Sequence, residues 1–466
     1  MLRSGRVQAV LAAAAVAAVV GAGTAVPAGA AAAGPSVFGF GSNQSGELGN
    51  GTTAASYLPV PASGPPGTVR QIAAGYFTSA ALISDGTVWV WGSNNSGALG
   101  TGSSGGWVAT PQQVPGLSSV TQIALGIVDV YAVRSDGTLW AWGFNQSGQL
   151  GNGTTAASYQ PVRVPGLTGI TQVSAGTGYV LARRSDGTVW AWGDNSRGFL
   201  GDGTTAGRLT PERVPGLTGI TEVAANWASF AVRSDGTLFG WGADDDGALG
   251  NGTSGGSVLT PAPVPGLTGV TQVASNNGAT LALAGSGGTV WAWGWNDIGQ
   301  LGDGTTVSRL SPERLTLTGV TQIAVGISGG SAAIRSDGTL LTWGGNGFGN
   351  LGHGTQGGYT VTPAPVRSLT GVSQVAFGGG YGGGYGLALG SRAYATVPSL
   401  ANETTTAAGQ RLQAANLVLG TVRTVVDNLC NNIGTVISQS PAAGTVLIGG
   451  SPVSVTVGAR PSHPCP

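Results

Sequence analysis

The sequence predicts an all-β protein, a seven-bladed β-propeller closed by strands from both ends of its repeat region, followed by a small α+β domain. Three observations lead to this fold class. An aromatic-glycine pair recurs with a nearly constant period of about 50 residues, which is typical of propellers and other repeat architectures. Each copy consists of short apolar strands separated by Asp-Gly turns, and the first and last copies are incomplete in complementary ways.

The aromatic-glycine pair marks seven copies, with Trp in six of them and Phe in the first. The pairs are Phe40-Gly41, Trp91-Gly92, Trp142-Gly143, Trp192-Gly193, Trp241-Gly242, Trp293-Gly294 and Trp343-Gly344. Most residues that are shared by every copy of a repeat belong to the scaffold. Function must therefore be sought at the positions that differ between copies.

One complete repeat, residues 120–151, shows why strands form. Asp136-Gly137 supplies the positive backbone angles of a tight hairpin. After that turn Trp140 and Trp142 alternate with small residues, and a period of two places both rings on one face of a sheet. Each repeat therefore predicts several short antiparallel strands.

The two ends of the repeat region complete one another. The first aromatic-glycine half, residues 37–51, lacks the Gln-Ile-Ala half that precedes the others, whereas the last such half, residues 372–389, lacks a following Trp-Gly. Pairing the two halves gives a seventh blade, and closure of the ring buries the sheet edges that an open array would expose. A linear β-solenoid is the alternative, but it does not explain two complementary half-repeats.

Composition narrows the function classes. The 466 residues carry a formal net charge of zero, and all nineteen basic residues are Arg. Nucleic acid is disfavoured as a partner, because binding it requires a surplus of cations against the phosphates. An apolar content of 41% with thirteen Trp is too high for a disordered chain. We expect a large repeat domain at residues 36–390 and a small domain at residues 394–466.

The first 33 residues are typical of a secretory signal peptide. Arg3 and Arg6 precede an apolar stretch that ends near Val20, and Ala28-Gly29-Ala30 offers a cleavage site. A retained membrane anchor is the alternative. We expect removal of the signal, no membrane span in the mature chain, and a monomer that is extracellular or associated with the cell wall.

Both cysteines, Cys430 and Cys465, lie near the C-terminus. In an exported protein such a pair predicts a disulfide, because the compartment is oxidising. Two free thiols or an intermolecular bridge are the alternatives.

The repeats resemble those of the regulator-of-chromosome-condensation family, whose members form a seven-bladed propeller with the same terminal-strand closure. The founding member acts on a nuclear GTPase and chromatin, which fits poorly with an exported chain that has no basic run. The chain also resembles the secreted, propeller-type β-lactamase-inhibitory proteins, which present one rim of loops to a target enzyme. This resemblance implies protein binding, with inhibition of a β-lactamase or penicillin-binding protein as one alternative.

The C-terminal residues resemble a PASTA domain. Ala407, Leu412 and Ala415 recur at near-helical spacing after Thr-rich capping positions, and a Gln-Ser-Pro run with a following Gly, residues 439–444, is the family's usual signature. Members of that family are linked to peptidoglycan fragments or β-lactams. Here the domain occurs once and carries an insertion around Cys430, so its ligand stays open.

Catalytic, metal and cofactor chemistry finds little support. Asp244-Asp245-Asp246 occupies the slot that reads Asn-Gln-Ser in other repeats and lacks the spaced ligands of a calcium loop, so a solvated acidic turn is expected, with a weak cation site or a contact to a basic partner as alternatives. His353 is expected to be an exposed turn residue. We expect no cofactor, no resident metal and no enzymatic activity.

Variation between the repeats provides the candidate contact residues. Trp107, Trp227 and Trp295 fall outside the repeated strand, and Trp227 lies in a short loop where the first complete repeat has Tyr76 and Phe77. Phe144 shares with Trp295 the position after Trp-Gly. Aromatic residues on exposed loops are typical anchors of interfaces, although packing between blades would also explain them.

The sequence thus favours an exported, non-enzymatic binding protein that holds a protein or a cell-wall component through loops on one rim. The candidate contact residues are Tyr76, Phe77, Phe144, Trp227, Trp295, Asp244, Asp245 and Asp246. A wall-acting hydrolase or lyase with carboxylates in the propeller mouth is the main alternative, and a purely structural surface protein is another.

Overall fold

The computed structural model describes residues 35–276, 278–380 and 382–462. The chain divides into two compact units. One extends to Tyr394 and includes Ile448–Gly450, and the other comprises Ala395–Leu447 and the residues from Ser451 onward. Within the described ranges, no helix has the length and apolar character needed to cross a bilayer.

Two predictions fall outside the described residues. The signal peptide of residues 1–33 and the cysteine at position 465 both lie there. Export and the disulfide to Cys430 therefore stay predictions.

The larger unit is the predicted propeller, with seven four-stranded antiparallel sheets. The chain begins it with two strands, β1 (Ser36–Gly41) and β2 (Ser56–Pro61). Six complete blades follow, each with its first strand on the propeller axis and its fourth at the rim. Blade 1 contains β3 (Val69–Ala74), β4 (Thr78–Ile83), β5 (Val88–Ser93) and β6 (Trp107–Gln113), and blade 2 contains β7 (Val120–Leu125), β8 (Asp129–Arg134), β9 (Leu139–Gly143) and β10 (Ser158–Arg163). Blade 3 contains β11 (Ile170–Ala175), β12 (Tyr179–Arg184), β13 (Val189–Gly193) and β14 (Arg208–Arg213), and blade 4 contains β15 (Ile220–Ala225), β16 (Ala228–Arg233), β17 (Leu238–Ala243) and β18 (Ser257–Pro263). Blade 5 contains β19 (Val270–Asn276), β20 (Ala279–Ala284), β21 (Thr289–Gly294) and β22 (Arg309–Arg314), and blade 6 contains β23 (Val320–Val325), β24 (Gly330–Arg335), β25 (Leu340–Gly345) and β26 (Tyr359–Pro365).

The seventh sheet closes the ring as the half-repeats predicted. It is formed by β27 (Leu369–Gly380), β28 (Gly383–Arg392), β1 and β2, in that order from the axis outward. Strand β1 pairs antiparallel with β28, and Phe38 lies opposite Ala388. The alternative of an open solenoid is thereby excluded.

The repeated tryptophans bind neighbouring blades together. Trp142 is fully buried and donates its indole N–H to the Ala98 carbonyl of the preceding blade at 2.8 Å. The same bond, from 2.7 to 3.0 Å, recurs for the other five Trp of the pairs. Trp140 packs against the same apolar cluster as Trp142, which confirms that both rings lie on one face. A buried hydrogen bond therefore accompanies apolar contact at these junctions.

The glycine of each pair has a backbone reason. Gly92 has a φ of 98°, and a β-carbon there would lie 2.3 Å from the Phe77 carbonyl oxygen. Only glycine adopts this conformation and tolerates this approach without strain. In each pair, the aromatic residue contacts the neighbouring blade, and the glycine allows two backbone segments of its own blade to approach closely.

A ring of amide side chains lines the axial channel and links the first strands of adjacent blades. Gln71 accepts a hydrogen bond from the Ile123 amide at 2.9 Å and donates to the Ile123 carbonyl at 2.8 Å. The equivalent positions are Gln122, Gln172, Glu222, Gln272, Gln322 and Gln374. Glu222 is the one carboxyl group in this ring, and it has a single described contact, from the Val273 amide at 3.4 Å.

The smaller unit contains one helix and two small sheets. Its elements are β29 (Tyr394–Thr396), α1 (Thr405–Ala414), β30 (Val418–Val426), β31 (Val436–Ser440), β32 (Val446–Ile448) and β33 (Pro452–Ala459), of which only the end residues Tyr394 and Ile448 belong to the larger unit. Thr404 caps α1 by accepting a hydrogen bond from the Ala407 amide at 3.2 Å, as the Thr-rich start predicted. Ala408 and Leu412 on α1 are buried against Val455 and other residues of the sheet.

Strand β33 is the centre of the three-stranded sheet. It pairs in parallel with β30 and antiparallel with β31. The predicted arrangement of one helix packed on a small sheet is confirmed.

Candidate functional site

The loops that carry the candidate residues lie at one end of the propeller. Thr78 at the start of β4 pairs with Gly92 near the end of β5, so the loop before β4 and the loop after β5 leave the sheet on the same side. The same geometry recurs in the other blades. We call this side the cavity end of the propeller.

A cavity of about 400 Å³ opens at this end. It shares part of its wall with the axial channel, since Ile127, Thr177 and Asn226 line both. Most of its surface is aromatic or aliphatic. The lining residues that matter below are Tyr76, Trp227, Trp295, Ile298, Ile327 and Phe348.

Three of the predicted aromatic residues meet in this cavity. Tyr76, Trp227 and Trp295 come from blades 1, 4 and 5, and all three are partly buried along its wall. Trp227 and Trp295 come from consecutive blades, whereas Tyr76 reaches the same cavity because the ring is closed. These three residues form one candidate site, and their role in binding a partner stays a prediction.

The other aromatic candidates lie elsewhere. Phe77 packs edge-on against Tyr76, with ring centroids 4.6 Å apart, and lines a separate cavity of about 230 Å³. Phe144 is partly buried and is outside the set of residues that line the end cavity. Trp107 begins the rim strand β6 and is 54% exposed. None of these three residues lines the end cavity.

An acidic residue holds one aromatic wall in place. Trp227 donates its indole N–H to the Asp245 carboxylate at 3.2 Å, and Arg197 donates to the same carboxylate at 2.8 Å. Arg197 also donates to the Ser257 hydroxyl and the Gly256 carbonyl. Asp245 therefore positions Trp227 and links the loops of blades 3 and 4.

Asp244 corrects the expectation of a solvated acidic turn. It is 1% exposed, and its carboxylate accepts hydrogen bonds from the Leu249 amide at 3.1 Å and the Thr253 hydroxyl at 3.0 Å. In the closing blade, the Asn43 side chain likewise accepts a hydrogen bond from the amide of the residue five positions later, Leu48. Asp244 is therefore a turn-forming residue, because it replaces an asparagine whose side chain is buried in the other repeats.

Asp246, in contrast, is exposed. It occupies the third position of the turn, which in blades 5 and 6 is Ile298 and Phe348, and both of those line the cavity. Partial burial, together with the neighbouring Asp297 and Asp245, raises the pKa of Asp246 above its ordinary value. The rim next to Trp295 is thus acidic.

Sequence reasoning missed Ile298, Phe348 and Asp297. The signal was present, because the third turn position is Ser in three repeats and becomes apolar only in blades 5 and 6. A comparison of the turns position by position shows this change of residue type directly in the sequence.

Two carboxyl groups with strongly raised pKa values were also missed. Burial raises the pKa of Asp129 to about 6, and Tyr131 donates to this carboxylate at 2.6 Å. Burial raises the pKa of Glu222 in the axial channel to about 8. Each differs from its equivalents in the other repeats, which was visible in the sequence.

His353 differs from its prediction as an exposed turn residue. It is half-buried, its Nε2 lies 2.8 Å from the Thr342 hydroxyl, and burial lowers the pKa of its imidazole. Across the described residues, no group of three or more His, Cys, Asp or Glu is placed to hold a metal ion. The geometry therefore offers an apolar cavity with an acidic rim.

Comparison with protein families agrees with this architecture. The family model described as the RCC1-like domain matches residues 6–330, and that of the regulator of chromosome condensation (RCC1) repeat matches residues 337–384. The model of the PASTA domain matches residues 395–459. Such a propeller with a PASTA domain indicates a binding or regulatory role.

Curated relatives share only segments with the chain. The human E3 ubiquitin-protein ligase HERC2 is 35% identical over 128 residues, which are 27% of this chain and 3% of that protein. The ultraviolet-B receptor UVR8 of Arabidopsis thaliana is 32% identical over 123 residues, which are 26% of this chain and 28% of the receptor. The chain thus spans a small part of the length of these relatives.

Solved structures share the fold over most of the chain. Prp20p from Saccharomyces cerevisiae superposes with a TM-score of 0.69 at 22% identity, covering 82% of this chain and 94% of that one. Human WBSCR16 gives a TM-score of 0.67 at 23% identity, covering 77% and 99%. At such identity the likeness concerns the fold alone. With the family model matching more than half of its length, the chain belongs to the RCC1-like domain family and carries a PASTA domain after its propeller.

Proposed function

We propose that this protein is an exported, non-enzymatic binding protein whose end cavity holds part of a partner protein. The observation that carries the proposal is the convergence of Tyr76, Trp227 and Trp295 on one apolar cavity of about 400 Å³. Aromatic side chains around a pocket are typical of the anchors that dominate binding energy at protein interfaces. Propellers of this family bind proteins, as in the structure of Kap60 bound to yeast RCC1.

Neighbouring side chains fix the orientation of two aromatic rings that line the end cavity. Asp245 fixes Trp227, and Tyr76 packs edge-on against Phe77. A ring that is already oriented loses less conformational entropy when a partner binds.

The experiment is affinity capture from the secreted fraction with the full chain as bait. A stoichiometric partner that is retained by the unmodified protein and lost with Trp227→Ala and Trp295→Ala is the expected result. Phe144→Ala serves as a matched control, because Phe144 is an aromatic residue of a neighbouring turn outside the cavity lining. Equal capture by all variants would show that the partner binds elsewhere.

Export is tested by comparing the mature N-terminus with the sequence. Cleavage within residues 28–33 is expected from the signal pattern. An intact N-terminus retained in the membrane fraction would support the anchor instead.

The PASTA domain is proposed to contact the cell wall. Sedimentation with purified peptidoglycan should retain the full chain and lose a chain that ends at Tyr394. Equal sedimentation of both would contradict the targeting role.

Enzymatic activity of the protein would contradict the proposal that it is a non-enzymatic binding protein. Burial raises the pKa of Asp129 to about 6 and that of Glu222 to about 8, and such groups could act as general acids. Release of soluble fragments from peptidoglycan that disappears in Glu222→Gln or Asp129→Asn would establish a hydrolase or lyase.

A further inference from the structure

The cavity end carries an excess of negative charge. Its described ion pairs join Arg197 to Asp245, Arg208 to Asp202, and Arg309 to Asp303. Three further carboxylates at this end are at least partly exposed and take part in none of the described ion pairs. They are Asp194, Asp246 and Asp297.

Two of these carboxylates flank the apolar cavity. Asp297 is exposed and directly precedes Ile298, which lines the cavity. Asp246 is exposed and is equivalent by repeat to Ile298. The turn that carries Asp246 adjoins blade 5, since a β-carbon at Gly278 would lie 3.8 Å from the Asp245 carbonyl oxygen and 3.3 Å from the Trp295 β-carbon. In this arrangement the charge of Asp297 contributes to the raised pKa of Asp246. A cation between them would relieve that repulsion.

The repeats show that this charge is specific to one side of the cavity. At the third turn position, three repeats carry Ser, and only blade 4 carries Asp. At the second turn position, Asp occurs at Asp245 and Asp297 alone. Asp245 is occupied by Arg197 and Trp227, so Asp246 and Asp297 are the acids that face outward.

We infer that the end cavity docks a basic segment of a partner protein, with an apolar side chain in the cavity and an adjacent Arg or Lys between Asp246 and Asp297. This inference rests on the proposed function and specifies the chemistry of the partner. An arginine or lysine next to the anchor gains from the acidic rim, whereas an acidic neighbour is repelled by it.

The polar groups of the wall favour a peptide over a glycan. Thr177 donates to the Asn226 carbonyl at 3.4 Å, Asn276 to the Val325 carbonyl at 3.5 Å, and Ser328 to the Gly383 carbonyl at 3.2 Å. These side chains direct donors to the protein backbone. Sugar hydroxyl groups buried here would lose water and find few new partners, which is costly.

The test uses the full chain and three fluorescein-labelled peptides with Gly-Ser flanks. Their central residues are Phe-Arg-Arg, Phe-Gln-Gln and Ser-Arg-Arg. By fluorescence anisotropy, we expect Phe-Arg-Arg to bind about tenfold tighter than either of the others. The advantage over Phe-Gln-Gln should shrink between about 50 mM and about 500 mM NaCl, because exposed charges are screened.

Variants assign the effect to the rim. The double variant Asp246→Asn/Asp297→Asn should lose the preference for Phe-Arg-Arg over Phe-Gln-Gln. Glu212→Gln/Glu313→Gln removes two exposed carboxylates from the rim strands β14 and β22 and should leave the preference unchanged. Trp227→Ala should weaken both Phe peptides.

The failures of the two proposals are distinguishable. Equal binding of Phe-Arg-Arg and Phe-Gln-Gln, both lost in Trp227→Ala, would overturn the basic partner and leave the apolar docking site intact. Binding of none of the peptides, or displacement of a bound peptide by a chitin oligosaccharide, would overturn the inference. Capture of the natural partner unaffected by Trp227→Ala would overturn the proposed function as well.

Discussion

Trp227 donates its indole N–H to Asp245 across 3.2 Å, and this bond ties an aromatic wall of the end cavity to a carboxylate that also pairs with Arg197. Trp227 has no equivalent of the same type in the other repeats, and Asp245 shares its residue type only with Asp297. The pair shows that blade 4 has been adapted at two positions that contact each other. The similar repeats thus include one local contact that the repeat pattern alone does not predict.

Removal of the carboxylate should loosen Trp227 without unfolding the protein. For Asp245→Ala we expect a loss of at most about 1 kcal/mol in the free energy of unfolding, because the ion pair is partly exposed. Acrylamide quenching of tryptophan fluorescence should increase. In a Trp227→Phe background the same substitution should leave quenching unchanged, and an increase there would assign the effect to another tryptophan.

The buried indole of each Trp-Gly pair should contribute to stability through its hydrogen bond. Trp142→Phe keeps most of the apolar contact but leaves the Ala98 carbonyl without its donor, which should cost about 1–3 kcal/mol. Trp140→Phe is the matched control, because Trp140 is less buried and donates to Thr138 at the longer distance of 3.3 Å. Equal midpoints of urea unfolding for the two variants would contradict a role for the bond.

Glu222 should make stability depend on pH. Burial raises its pKa in the folded protein to about 8, above its ordinary value of 4.5. The folded state therefore favours the protonated form. The contribution of protonated Glu222 to the free energy of unfolding is fully present below pH 4.5 and is lost as the pH rises through 8.

Glu222→Gln restores the residue type found at this position in the other blades and should remove that dependence. The free-energy difference between the variant and the unmodified protein should grow in favour of the variant by a few kcal/mol between pH 5 and pH 9. Urea unfolding across this range measures it. A constant difference would show that Glu222 is ionised throughout.

Closure of the ring should depend on the first two strands. Deletion of residues 36–61 removes β1 and β2 and exposes an edge of β28, so we expect association of the protein in light scattering and a lower midpoint of thermal unfolding. Removal of residues 395–466 is the control, since it leaves all seven sheets complete. A monomeric deletion variant of unchanged thermal stability would contradict closure by β1.

The pairing of Cys430 and Cys465 is tested by mass spectrometry. We expect no alkylation of the unfolded, unreduced chain and two alkylated cysteines after reduction. Alkylation without reduction would favour free thiols, and a disulfide-linked dimer would favour the intermolecular bridge.

The fold followed from sequence because its determinants are local and repeated. Asp136-Gly137 fixes a hairpin, and Trp140 with Trp142 fixes a sheet face. The order of the half-repeats then determines closure. Each of these signals depends on residue type and spacing, which a sequence displays directly.

The site followed only in part, because its walls are formed by residues from different blades. Tyr76, Trp227 and Trp295 were found as aromatic exceptions, and the ring brings them together. Phe144 was an equal exception in sequence but is outside the cavity lining. Asp244 was grouped with its acidic neighbours, although its side chain is turned inward to bond the Leu249 amide. Side-chain direction within a turn decides these cases, and the residue type alone does not reveal it.

The pairing of Phe38 with Ala388 has a consequence for synthesis. A ribosome makes β1 first and its partner β28 about 350 residues later, so β1 waits while six blades are produced. Contacts so distant in sequence form slowly. The last blade therefore acts as a completion check: in a truncated chain the edge of β1 that pairs with β28 stays open, and only a chain translated through its final repeat can cover it.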